Sequence, residues 1–516
     1  MQIRFSLVVF LFTPTDNLTP GVTYNYPMPA LSDVLLVAIN FVFIVGIAII
    51  LFSPKMLTRY APIGTPRILG LVRIVVVSTA LLYVLDTEFL RTALFIGPGY
   101  QDNFYTPVGI LTPLLQAKWF LPLLGSTLFL LLIKSATIAV LVSALIGYRA
   151  RLSLVLSLLM YTLYSGIILQ SLLLSHYGAQ VILLLGVLAV LPVHGAYSLT
   201  TSKSTVEHDV PTVAHTLSVY VVLVTLCIPY LFAVINKFLL MGTDWFNSTN
   251  IRGDLHAGLY MDSSSWLWEL MLSSTQWSDW VFLTAGIGVV VLQASYFLIL
   301  FSHTARLILP AGIMLMHIAI YFFMGFLFMD LILLQIIVYI IVYFSGKQTL
   351  SASAFAQRPS ARYRSIALVV FFLLFTAVCT IFQTKFYPFS SWAVYANPSD
   401  YYTSGIFPYN NLRYTFADGT ESTVSLDTFK REVGLFVYPR QSCYWEADLR
   451  SFEESCSTFF YRSIVILNKN IHSTNPIIGI TVEQRRWSLD TLQNEPESLF
   501  TSAPAARTTF TIETDK

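Results

Sequence analysis

About ten apolar runs of bilayer length recur between residues 31 and 382, and a soluble fold does not accommodate that pattern. A helix needs roughly 20 apolar residues to cross about 30 Å of hydrocarbon. Charged residues make up 11 % of the chain and hydrophobic residues 55 %, whereas soluble domains carry about 25 % charge. The sequence therefore predicts a polytopic all-α membrane protein of about ten transmembrane helices. The net charge of +2 argues against a nucleic-acid partner.

The runs fall at 31–52, 68–84, 120–146, a fourth ending at Leu174, 181–199, a sixth starting near Val213, and 281–301. Two more lie within 307–344, turning near 325–330, and the last is 366–382. This divides the chain into an N-terminal segment with the first span (1–65), a helical membrane core (66–345), a basic loop with the last span (346–383) and a C-terminal domain (384–516). Lysines and arginines gather after the odd-numbered spans, as at Lys55, Arg59 and Arg67, at Arg149 and Arg151, and at Lys347, Arg358, Arg362 and Arg364. Positive charge marks cytoplasmic loops, so both termini are expected to be extracytoplasmic.

The C-terminal domain reads as α+β and rich in strands. Asp418-Gly419 is a hairpin signal between alternating segments, and 463–467, 477–482 and 508–512 are further strand candidates. On the oxidising side of a membrane, Cys443 and Cys456 are expected to form a disulfide.

Chemistry centres on Lys237, which lies about one turn before the sixth apolar run ends. Two readings stand. Its ammonium snorkels to the headgroups, or it is a desolvated amine able to act as a base. The topology brings His176 and His317 toward the same outer side, where they would tune such a base; taken singly, each reads first as a hydrogen-bonded packing residue. Lys134, mid-span, is a rival base whose structural alternative is pairing with an acid such as Asp330. Arg73 lies within snorkelling reach of the surface. There is no His-Glu-x-x-His helix, phosphate loop or nucleophile elbow, and the histidines are too scattered for a zinc site.

Several ordered features resemble the HTTM superfamily, which includes the vitamin K-dependent gamma-carboxylases. They are Ile68-Leu-Gly-Leu-Val-Arg73, Phe104-Tyr-Thr-Pro-Val-Gly, Gly147-Tyr-Arg-Ala-Arg151, Ser175-His176-Tyr, Tyr230-Leu-Phe-Ala-Val-Ile-Asn-Lys237 followed by Trp245, and Arg306 with His317. The resemblance implies an enzyme, a carboxylase and so a lyase, in which Lys237 deprotonates reduced vitamin K or another quinol. Oxygenation and epoxidation of the quinol then supply a base strong enough to take a glutamate γ proton, and carbon dioxide traps the product. It implies supporting roles for His176 and His317, membrane lipid as surroundings, and an exported protein or peptide as substrate. The gap from Lys237 to Trp245 is longer than the family's spacing, and the C-terminal domain is shorter. A non-enzymatic alternative is a membrane scaffold that presents the exported domain to a partner.

Overall fold

The computed structural model describes residues 59–86, 89–91, 111–115, 117–170, 178–193, 196–199, 211–241, 279–324 and 328–345 of the membrane region. In the C-terminal domain it describes 385–386, 389–390, 406–424, 426–433, 460–461, 463–468, 472, 474–488 and 506–511. The expected spans at 31–52 and 366–382 lie outside these residues, as do His176 and Trp245.

The chain is a polytopic, largely helical protein with a small strand-containing C-terminal domain. Among the described residues, 6 helices are long and apolar enough to cross a membrane. They are α1 (Pro66–Asp86), α2 (Thr127–Leu145), α3 (Ala150–Gln170), α5 (Val213–Met241), α6 (Asp279–Ser295, continued by a 3-10 turn Tyr296–Leu300) and α7 (His303–Met324). The shorter apolar helices are α4 (Ala179–Val190), α8 (Met329–Leu333) and α9 (Ile336–Ser345).

The expected span 181–199 thus falls short. Its helix has 12 residues, about 18 Å at 1.5 Å per residue. Leu191 is extended because Pro192 follows it, and the residue before proline is sterically driven out of the helical region. Every face of α4 except Gly186 and Val190 is buried, so it is a core helix rather than a lipid-facing span. The run expected at 120–146 is also interrupted. A single turn, Leu121–Leu124, ends at Gly125, and the Ser126 hydroxyl caps α2 by accepting from the Phe129 N–H.

α5 is the centre of the bundle: 94 % of its apolar window is buried, against 28 % for α2 and α7. α1 packs against α2, α4, α5, α8 and α9, and α2 pairs with α3. The outer faces are apolar too. α2 exposes Leu128, Leu131, Leu132 and Val142, and α3 exposes Leu152, Val155, Leu156 and Leu159. Such a surface suits hydrocarbon and not water.

Arg73 does not snorkel. It is fully buried and donates from its guanidinium to the carbonyls of Val193 and Tyr197, in the segment after α4. In the bundle interior, irregular backbone needs such donors.

The C-terminal domain holds a four-stranded antiparallel sheet in the order β2-β1-β3-β4: β1 Ile406–Phe416, β2 Glu421–Val424, β3 Ile477–Ser488 and β4 Ala506–Thr511. The Asp418-Gly419 turn joins β1 to β2 as its sequence implies, with Gly419 at φ 82. Leu412, Tyr414, Ile480, Val482 and Phe510 pack with Phe429 and Val433 of α10 (Leu426–Val433).

Two expectations are corrected. Residues 463–468 are helical, not a strand. Phe460, Ser463, Ile464, Ile466 and Leu467 are buried while Tyr461 and Val465 are exposed, and the helical spacing of three and four in 460, 463, 464 and 467 outweighs the strand preference of Ile and Val. The Cys443–Cys456 disulfide is withdrawn. Among the described residues no sulfur–sulfur pair occurs, and the cysteine present, Cys227, is free and buried in α5; Cys443 and Cys456 lie outside those residues.

Candidate functional site

Lys237 sits two turns beyond Tyr230 on one face of α5. That face meets α6, where Val234 packs on Val290. One turn further along each helix, the Lys237 Nζ donates to Gln293 Oε1 at 3.4 Å. Lys237 is 3 % exposed. The Lys237 side chain is therefore enclosed by the protein and turned toward α6 rather than lying on the outer face of α5.

Gln293 carries the contact on to α7, its Nε2 lying 3.8 Å from Met316 Sδ. The next residue is His317, also buried, and close enough to Lys237 for the two to interact electrostatically. The sequence candidates Lys237 and His317 are thus brought together by α5, α6 and α7. Lys134 is only half-buried on α2. Asp330 accepts from the Gly178 N–H at 3.3 Å, tying α8 to the start of α4.

A second polar chain runs from His317. Its Nε2 lies 3.4 Å from the Tyr230 hydroxyl. Gln335 Nε2 donates to that hydroxyl at 3.0 Å, and the Tyr296 hydroxyl donates to Gln335 Oε1. Aromatic rings close around it: Tyr230 and Tyr296 are 4.6 Å apart, and His317 lies 5.3 Å from Phe328. Arg306 fastens the 3-10 turn that carries Tyr296. Its guanidinium donates to the carbonyls of Ile299 (2.6 Å), Leu300 (3.1 Å) and Tyr60.

No family model matches the chain, and no curated protein or solved structure matches it either.

Gln293, Gln335 and Tyr296 escaped the sequence reading, which followed Lys, Arg, His and Asp, and Tyr230 entered it only as part of the segment leading to Lys237. Their signal was present. An amide inside Val-Val-Val-Leu-Gln293 or Leu-Ile-Leu-Leu-Gln335 is expensive in hydrocarbon unless it is hydrogen-bonded. Among the described residues, no three His, Cys, Asp or Glu side chains group as metal ligands. The arrangement offers one amine, one imidazole, two amides and two phenol hydroxyls among buried apolar side chains. It is equipped to move a proton and to orient an oxygen-bearing ligand.

Proposed function

We propose that this chain is a membrane-embedded enzyme resembling the vitamin K-dependent gamma-carboxylases, in which Lys237 is the base that starts quinol oxygenation. The burial of the Lys237 amine against a neutral amide in the bundle core supports this most directly. A lysine at mid-bilayer costs about 2.5–3.5 kcal/mol on insertion scales and less toward the ends of a span, and intramembrane ionisable groups mark functional sites by default.

The residues present fit a quinol. Among the described residues the buried His317 Nδ1 has no hydrogen-bond partner, and the Phe328 ring supplies an apolar neighbour to the imidazole. Reduced vitamin K or another quinol, when bound, supplies the electrons for oxygen chemistry. Lys237 Nζ takes the hydroxyl proton, Gln293 orients the amine, and the helices exclude water from it. About ten spans with both termini extracytoplasmic would set the outer end of α5 and the C-terminal domain on the same side, where an exported peptide glutamate is carboxylated.

The test is quinol epoxidation by purified protein in nanodiscs, with Lys237→Met and Lys237→Ala beside wild type. Methionine keeps most of the packing and removes the base. Turnover lost in both variants, with helicity unchanged, is the expected result. Absence of turnover in wild type across several naphthoquinols would refute the enzyme and favour the scaffold that presents the exported domain.

A further inference from the structure

The hydrogen-bond chain Tyr296–Gln335–Tyr230–His317 has a direction that can be read from donor and acceptor inventories alone. A carbonyl oxygen only accepts, so the Gln335 atom 3.0 Å from the Leu331 carbonyl is Nε2. This sets the amide orientation. Gln335 Oε1 then accepts from the Tyr296 hydroxyl, and the second Nε2 proton goes to the Tyr230 oxygen. The Tyr230 proton remains to be placed, and among the described residues its acceptor is His317 Nε2. An imidazole that accepts at Nε2 and is neutral carries its proton on Nδ1. That Nδ1 is buried and has no partner among the described residues.

We infer that His317 is held as the Nδ1–H tautomer and presents that N–H as a donor to an oxygen of a bound carbonyl compound, with Tyr230, Gln335 and Tyr296 as positioning residues. The ligand class, a quinone, rests on the function proposed above; the tautomer does not. A buried N–H left without an acceptor is destabilising, and a ligand carbonyl would satisfy it. Positive charge on His317 would instead oblige Tyr230 to accept from two donors at once and send its own proton elsewhere.

The experiment uses the full chain, labelled with 15N-histidine and reconstituted in nanodiscs. The chain has 8 histidines, and the signals missing from His317→Asn identify residue 317. The expected spectrum shows protonated Nδ1 and unprotonated Nε2, and Tyr230→Phe or Gln335→Leu gives a mixture of tautomers. Adding menadione shifts the Nδ1–H signal. In menadione titrations His317→Asn, whose amide N–H stands at the Nδ1 position, binds within about threefold of wild type, and His317→Leu binds about tenfold more weakly. A protonated Nε2, an imidazolium, an Nδ1–H signal unmoved by saturating menadione, or undiminished binding by His317→Leu would each overturn the inference. A shifted Nδ1–H signal in a protein without quinol turnover would refute the enzyme and leave the His317 donor standing.

Discussion

Replacing Arg306 with methionine removes the donors that close the end of the 3-10 turn Tyr296–Leu300. Arg306 is 6 % exposed, and its guanidinium serves the buried carbonyls of Ile299 and Leu300, with the Tyr60 carbonyl only partly buried. A buried acceptor left unsatisfied costs about 1–3 kcal/mol, so the two buried carbonyls alone give about 2–6 kcal/mol. Relief of the guanidinium's own desolvation offsets part of that. The net expectation for Arg306→Met is a loss of about 2–4 kcal/mol. Arg306→Lys keeps the charge near the helix end but not the fork, and is expected to fall between the two. Equilibrium unfolding in mixed micelles gives the ordering, and amide exchange reports locally on residues 296–300. A methionine variant within about 0.5 kcal/mol of wild type would refute the reasoning, as would a lysine variant no better than methionine.

Gly64→Ala is expected to destabilise by about 3 kcal/mol or more, because its Cβ would stand 2.2 Å from the His215 carbonyl oxygen and 2.5 Å from the Thr216 nitrogen, backbone that cannot step aside. Gly288→Ala in α6 meets nothing within 4 Å among the described residues and is expected to stabilise by about 0.5–1 kcal/mol; the two substitutions are compared by the same unfolding assay. In the β1–β2 turn, the hydroxyl and N–H of Thr420 and the amide of Asn475 hold the Asp418 carboxyl below the usual aspartate range. Because the folded form binds its proton less readily than the unfolded chain, this contribution is full above about pH 4 and is lost as pH falls through the folded value. Amide-exchange protection of residues 417–420, corrected for intrinsic rate, is expected to drop in that window in wild type and to show no such step in Asp418→Asn.

Hydration determines much of this protein residue by residue, and that much could be read in the sequence. An apolar run must leave water, so the helices α1, α2, α3, α5, α6 and α7 were all anticipated. Asp418-Gly419 carries its own turn chemistry, and β1 and β2 pair around it as a hairpin, although Thr415 stands opposite Glu421, one residue off the register of a two-residue Asp-Gly loop. Proline before residue 193 and the three-and-four spacing across 460–467 were local signals too, weighed too lightly against overall hydropathy and β-branching. The position of a lysine relative to the membrane surface is a different kind of question. Hydropathy gives Lys237 a depth along α5 but not an azimuth, and a side chain one turn from the end of a run can face headgroups or protein equally well. Only the packing of α6 on α5 through Val234 and Val290 decides that Lys237 meets Gln293. The same holds for Tyr296, Gln335, Tyr230 and His317, which come from four separate stretches of chain. Their hydrogen bonds form because a buried polar group must find a partner, and which partner lies within reach is a property of the folded bundle alone.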